Sequence, residues 1–219
     1  MQPNNHPTCH TTPSSLNINP RNPQTQLMQT PDFTSIPSSL PNFDDMPIPE
    51  PDFWVFGYGS LIWDPGFDFV HCQPATLHGY HRRLCLWSTR YRGNKTNPGL
   101  VLGLDQSGSC RGVAYLINDA NRATAAQYLF DREMANNAYA PKIVPLHLED
   151  DSVVSSLTFV SKTDHPQYAP PLELDDMLSI VRTAEGPRGT NREYVTNTAS
   201  HLAKLGIHDE QLQELSKAL

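Results

Sequence analysis

A glycine-rich segment is the first part of this chain whose residue types and spacing suit chemistry. It reads FGYGSLIW at 56–63 and follows a short apolar and aromatic run. Because glycine has no Cβ, backbone N–H groups beside Gly57 and Gly59 can converge on an anion. The alternative is a tight turn in which the two glycines only adopt a positive φ. The pattern leaves both interpretations open, and it lacks the complete GxGxxG or GK[ST] signature of a phosphate-binding loop.

Ser60 lies in the same segment and carries a hydroxyl group. A catalytic serine needs a histidine base and an acid to orient that base. The chain has nine histidines, but Ser60 is not in a recognisable nucleophile-elbow motif. We therefore expect a structural or substrate-binding hydroxyl rather than a nucleophile.

Glu133 is the second candidate, at the end of a helix predicted over 119–134 with Asn118 or Asp119 as its cap. Its carboxylate shares a face with apolar side chains in the i, i+3, i+4, i+7 series of Ala126, Leu129, Phe130 and Glu133. Burial raises the pKa of a glutamate, because a low dielectric disfavours its charged form, and this suits a general base. The alternative is a structural ion pair with an arginine at the helix end. Both alternatives stay open at this point.

The remaining polar clusters give weaker evidence for a functional site. His78 and His81 have HxxH spacing, but no further ligands follow at metal-site spacing, and Cys85 is predicted to be a core residue. We therefore expect no metal site. Basic residues between 82 and 95, including Arg82, are typical of a solvated face, with capture of a carboxylate as the alternative.

The elements that must position these residues change along the chain from strands to helices. Apolar runs predict strands at 53–59, 83–88, 99–104, 111–117, 142–147 and 153–160, separated by turn-rich stretches such as RGNKTNPG and DQSGS. Helical periodicity follows at 172–182, 191–205 and 209–219, and Thr190 with Glu193 has the spacing of a capping box. This order predicts the α+β class.

The first 50 residues differ from the rest in composition. They are rich in Pro, Asn, Ser, Thr and Gln, and Arg21 is their only basic residue. Such a segment buries too little apolar surface to offset its ordering entropy. We expect a disordered tail over 1–50 and one domain over 51–219, with weak docking of the tail through Phe33, Ile36, Leu40 and Phe43 as the exception.

Charge and cysteine usage limit the classes of partner. The 16 basic against 23 acidic residues give a formal net charge of −7, which argues against a nucleic-acid or anionic-membrane protein. The four cysteines form no CxxC pair, the N-terminus is polar, and no run approaches the ~18 apolar residues of a membrane span. We expect a cytoplasmic protein without membrane or nucleic-acid partners, and leave its oligomeric state open.

Taken together, these motifs resemble the ChaC-like gamma-glutamylcyclotransferases, specifically the glutathione-specific branch. WVFGYGSLIW at 54–63 is similar to the substrate-binding loop of that family. The resemblance covers about residues 53–213 and leaves the tail outside. It continues through GYHR at 79–82, RG at 92–93, PG at 98–99, GVAY at 112–115, RE at 132–133, Tyr139, GPRGTN at 186–191 and EY at 193–194.

The resemblance implies a gamma-glutamylcyclotransferase-like fold, a small mixed β-barrel with flanking helices and a helical C-terminal part. It implies cleavage of glutathione to 5-oxoproline and cysteinylglycine, with Glu133 as the general base and no cofactor or metal. The substrate-binding residues that it implies are Phe56, Gly57, Tyr58, Gly59, Ser60, Leu61, Tyr139 and Arg82. One departure is that Asn137 and Ala138 replace the twin glycines that some members carry before the tyrosine.

Three other functions remain as alternatives. The same fold and base would serve γ-glutamyl amino acids or amines, since the γ-glutamyl half of the substrate is shared. A non-enzymatic regulatory protein would keep the fold with an inactive site, although Glu133 argues against this. A serine hydrolase would depend on Ser60.

Overall fold

The computed structural model describes Pro31, Phe33 and residues 41–219 of the chain. Five strands form a closed barrel in the order β1-β3-β2-β4-β5, in which β1 and β5 are parallel and the other pairs antiparallel. Their bounds are Phe53–Gly57, His71–Ser88, Gly99–Ile117, Tyr139–Leu148 and Val153–Ser161 for β1 to β5. The predicted α+β class and mixed barrel are confirmed.

Strands β2 and β3 are longer than the sequence predicts. The DQSGS stretch, predicted as a turn, lies inside β3, where Ser107 and Gly108 have φ of 90° and 70°. The opposite strand shifts its register between His78 and Tyr80. The two irregularities lie across from each other, so the ladder bulges instead of ending. The first half of β2 went unpredicted because its mostly polar side chains give no apolar run.

Four α-helices surround this barrel in the described chain, α1 at Asp119–Glu133, α2 at Leu174–Thr183, α3 at Asn191–Lys204 and α4 at Glu210–Ala218. The Asn118 side chain accepts from the backbone N–H of Asn121 and caps α1, and the capping box of Thr190 and Glu193 starts α3 as predicted. A two-stranded hairpin, β6 at Glu185–Gly186 and β7 at Gly189–Thr190, leads into α3. All predicted helices are therefore present.

The folded region begins before the predicted boundary at residue 50. A 3-10 helix spans Phe43–Asp45, the Phe43 ring meets the Phe130 ring edge-on at 5.4 Å, and Met46 and Phe33 are buried. These apolar side chains pack on the domain, as in the docking that the sequence allowed for Phe33 and Phe43. Ile36, Leu40 and the rest of the predicted tail, apart from Pro31 and Phe33, lie outside the described residues.

No helix in the described part of the chain is both long enough and apolar enough to cross a membrane.

Candidate active site

The glycine-rich segment forms the connection between β1 and a short 3-10 helix at Ser60–Ile62. Neither Gly57 nor Gly59 has a positive φ, so the turn interpretation that relied on one is wrong. A Cβ at Gly57 would lie 3.0 Å from the Leu61 Cβ, and one at Gly59 would lie 3.4 Å from the Tyr194 hydroxyl. Close packing therefore favours glycine at position 57, whereas a Cβ at position 59 would make an ordinary contact with Tyr194.

This loop leaves backbone donors available. The N–H groups of Ile62 and Trp63 are used within the turn, where they donate to the carbonyls of Gly59 and Ser60. Those of residues 58–61 donate to no other group in the portion of the chain that the structure describes. Residues 58–61 line the smaller part of a cavity with two chambers.

The two chambers share Ser60, Glu133, Tyr139 and Tyr194 and differ in size. The inner chamber has an empty volume of about 310 Å³ and the outer one about 810 Å³, and both volumes include space open to solvent. Tyr58, Gly59, Leu61, Leu102 and Phe159 complete the inner chamber. The outer chamber has a mixed wall that includes Trp63, Trp87, Tyr91, Arg92, Arg132, Gln167 and Arg188. A ligand that occupies both chambers must pass the Glu133 carboxylate.

Glu133 has features expected of both roles that the sequence left open. Its Oε1 lies 3.3 Å from the Arg132 Nε, and 15% of its side chain is exposed. Burial raises the pKa of Glu133 above that of an ordinary glutamate, and the positive charges of Arg132 and Arg188 oppose this rise only in part. Glu133 is thus ion-paired and still lines both chambers.

Arg132 connects the helix that carries Glu133 to the glycine-rich loop. Its guanidinium donates to the Ser60 hydroxyl at 2.9 Å, to the Asp64 carbonyl at 2.7 Å and to the Tyr128 hydroxyl at 2.7 Å. No histidine lines either chamber in the described chain, so Ser60 has no histidine base in the cavity. This arrangement fits the prediction that the Ser60 hydroxyl has a structural or substrate-binding role.

Three tyrosines shape the inner chamber, of which Tyr58 and Tyr194 are buried and Tyr139 is partly buried. The Tyr58 hydroxyl donates to the Phe159 carbonyl and the Tyr139 hydroxyl to the Leu102 carbonyl, both at 2.8 Å. The Tyr194 hydroxyl accepts from the Leu102 N–H at 3.0 Å, which leaves its own proton free to donate. Burial raises the pKa of Tyr194 to about 12, so this hydroxyl remains a donor at neutral pH.

Not every predicted binding residue reaches the cavity. Phe56 and Gly57 lie in β1 and line neither chamber, although they support the loop. Arg82 lies outside as well, where it donates to the carbonyls of Tyr58 and Arg111 and pairs with Asp209 at 3.0 Å. Because C=O and N–H point in opposite directions across a trans peptide, holding the Tyr58 carbonyl turns the Gly59 N–H away from Arg82. We therefore revise the expected direct contact and treat Arg82 as a positioning residue.

The histidine and cysteine candidates lie away from this cavity or are inert. His78 meets His147 with ring centroids 4.8 Å apart, and the residues that the structure describes hold no cluster of three or more metal-ligating side chains. Cys85 contacts the Ser161 hydroxyl at 3.3 Å, and burial raises its thiol pKa to about 11. A thiol with such a pKa is a poor nucleophile.

Sequence reasoning missed most of the outer chamber. Trp87 and Gln167 come from separate parts of the chain, and only the closed barrel brings them near Glu133. Arg92, Arg132, Arg188 and Tyr194 fall within the motifs of the family resemblance, and that signal could have identified them.

Comparisons with known proteins match most of this chain to one family. The family model described as ChaC-like protein matches residues 53–219. A glutathione-specific gamma-glutamylcyclotransferase of Escherichia coli is 35% identical over 74% of this chain and 70% of its own length, and one of Schizosaccharomyces pombe is 35% identical over 75% and 89%. A rat glutathione-specific gamma-glutamylcyclotransferase 1 is 30% identical over 89% of each chain. The structure of a yeast gamma-glutamyl cyclotransferase specific to glutathione superposes with a TM-score of 0.71 at 24% identity, over 77% of this chain and 95% of that one, which shows the shared fold.

Proposed function

Because this chain belongs to the ChaC-like family, we propose that it is a glutathione-specific gamma-glutamylcyclotransferase that converts glutathione to 5-oxoproline and cysteinylglycine. The observation that carries the proposal is the position of Glu133, whose carboxylate faces both the inner and the outer chamber. The inner chamber suits the γ-glutamyl part, and the larger outer chamber suits the cysteinylglycine part. The cytoplasmic localisation of the protein stays a prediction from its cysteine spacing.

The reaction needs no nucleophile from the protein, because the substrate carries its own. The α-amine of the γ-glutamyl unit attacks the γ-carbonyl carbon and closes a five-membered ring. Holding the two groups in contact makes this attack efficient, with effective molarities of ~10⁵–10⁸ M in well-oriented systems. The C–N bond to the cysteinyl nitrogen then breaks, which releases 5-oxoproline and cysteinylglycine.

Proton movement defines the role of Glu133. The α-amine is protonated in free glutathione, and its lone pair is available only after the carboxylate has accepted a proton. Protonated Glu133 then donates this proton to the departing cysteinyl nitrogen. The second proton that the attacking nitrogen loses is transferred to the same departing nitrogen. The two protons that leave one nitrogen arrive on the other, so Glu133 ends the cycle ionised.

The negative charge on the γ-carbonyl oxygen needs donors in the inner chamber. The free N–H groups of residues 58–61 and the Tyr194 hydroxyl are the donors of this wall that we assign to the oxyanion and to the γ-glutamyl carboxylate. Donors fixed before the reaction stabilise a developing charge without reorganisation. The close packing at Gly57 helps to fix the position of this loop.

The test is the product spectrum of the purified chain. We expect mass spectrometry to show 5-oxoproline and cysteinylglycine after incubation with glutathione, and much slower release from γ-glutamyl-alanine. Equal turnover of both peptides would support the cyclotransferase reaction but contradict its specificity for glutathione. No 5-oxoproline from either peptide would contradict the proposal and favour a non-enzymatic protein of the same fold.

A further inference from the structure

The outer chamber has to recognise the half of the substrate that leaves, an inference that rests on the proposed function. Cysteinylglycine carries one negative charge within glutathione, the carboxylate of its terminal glycine. That charge lies at the opposite end of the peptide from the γ-glutamyl group. A partner for it must therefore lie in the wall of the outer chamber, away from the glycine-rich loop.

Three arginines line the outer chamber, and two of them have carboxylate partners. Arg132 pairs with Glu133 and lies 3.8 Å from an Asp64 oxygen. Arg92 lies 3.8 Å from the Glu193 carboxylate and donates to the Thr190 carbonyl at 3.2 Å. Both guanidinium groups serve contacts within the protein.

Arg188 differs from both. Its backbone N–H donates to the Tyr91 carbonyl at 3.1 Å, and its guanidinium lies over the Tyr91 ring, 4.7 Å from the centroid. Its side chain is exposed at the cavity, and no carboxylate of the described residues lies within the 4.0 Å of an ion pair. Stacking on the ring restrains the guanidinium while its edge N–H groups remain free to donate.

A second wall residue also indicates a polar ligand. Gln167 is buried and donates from its Nε2 to the Trp87 carbonyl at 2.8 Å and to the Thr89 hydroxyl at 3.2 Å. Its Oε1 has no hydrogen-bond partner within the described part of the chain. A buried acceptor without a partner is costly, and a peptide N–H in the chamber would satisfy it.

We propose that Arg188 binds the terminal carboxylate of the cysteinylglycine half, and that this contact favours glutathione over γ-glutamyl compounds that lack such a carboxylate. The planar guanidinium of an arginine matches a carboxylate with two parallel hydrogen bonds. The inner chamber recognises what all γ-glutamyl substrates share, whereas Arg188 recognises a charge that γ-glutamyl amines lack.

The test compares glutathione with an analogue in which the glycine carboxylate is a carboxamide. Wild type, Arg188→Gln and the control Arg192→Gln are assayed on both peptides; Arg192 is an exposed arginine on α3 that lines neither chamber. We expect Arg188→Gln to lower kcat/KM for glutathione by about 5- to 30-fold, mainly through KM, with little change for the carboxamide. Arg192→Gln should match wild type on both peptides, and Arg188→Lys should recover part of the loss.

The ratio between the two peptides isolates the carboxylate contact. Loss of the Arg188 charge also acts on the nearby Glu133 carboxylate, but that effect is common to both peptides and cancels. An unchanged ratio in Arg188→Gln would overturn the inference while leaving the proposed function intact. If wild type released 5-oxoproline from neither peptide, the proposed function would fail and the inference with it.

Discussion

The guanidinium of Arg132 donates to the hydroxyl of Ser60 at 2.9 Å, which joins the residue next to Glu133 to the loop that offers backbone donors. The proposed base and the proposed oxyanion donors are therefore connected through Arg132, which precedes Glu133 in the chain and hydrogen-bonds to Ser60. This explains why a serine occupies the loop although the proposed reaction needs no serine nucleophile.

Ser60→Ala should lower kcat/KM for glutathione by roughly 10- to 100-fold, because one hydrogen bond from a charged guanidinium, worth about 1.5–3 kcal/mol, is lost. Steady-state kinetics measure the effect, with Ser155→Ala on the exposed side of β5 as the control. Complete loss of activity, or labelling of Ser60 by a serine-reactive probe, would return the serine hydrolase alternative.

The pH dependence of activity should report the raised pKa of Glu133. The base works only when ionised, so kcat/KM should rise with pH through a midpoint above the ~4.3 of an ordinary glutamate. A midpoint at or below that value would show that burial does not govern this carboxylate.

The same raised pKa of Glu133 has a consequence for stability. Between the unfolded and folded pKa values the folded chain binds more protons, so this glutamate reduces the free energy of unfolding as pH rises. Glu133→Gln removes that cost, and its melting temperature relative to wild type should increase from acidic to neutral pH. A difference that stays constant across this range would contradict the burial argument.

Gly59→Ala and Gly57→Ala should separate catalysis from stability. A Cβ at Gly59 points at the Tyr194 hydroxyl in the inner chamber, where we place substrate, so kcat/KM should fall by about 10²-fold or more. A Cβ at Gly57 would meet Leu61 at 3.0 Å and the Tyr115 ring at 3.2 Å, so that variant should lose about 1–3 kcal/mol of stability. Steady-state kinetics measure the effect on kcat/KM, and thermal melting measures the effect on stability. A fully active Gly59→Ala enzyme would show that the loop is only a connection between elements and does not bind substrate.

Met46→Ala should destabilise the protein by about 2 kcal/mol or more, because it empties a buried site that residues before 51 fill. Chemical unfolding gives the free energy, and the exposed neighbour Asp45→Ala is the control. Equal stability of Met46→Ala and wild type would restore the boundary at residue 50.

Local patterns predicted the elements but not the distances between them. The helical series that ends at Glu133 and the capping box at Thr190 depend on neighbours within a turn or two, and both are confirmed. Arg82 was misplaced because its ion pair with Asp209 connects residues 127 positions apart, which no local pattern encodes. The DQSGS stretch has the composition of a turn, but pairing along β2 and β3 outweighed that preference. The outer chamber was missed for the same reason, since its wall is assembled by barrel closure.

The most direct measurement is the rate of 5-oxoproline release from glutathione by Glu133→Gln, followed by mass spectrometry, with Asp131→Asn on the exposed face of α1 as the control. The amide keeps the shape of the side chain but cannot accept the proton of the α-ammonium group. We predict a fall of at least ~10²–10⁴-fold with a retained fold, and an unchanged rate for the control. Turnover by Glu133→Gln within a factor of about two of wild type would contradict the assignment of Glu133 as the base.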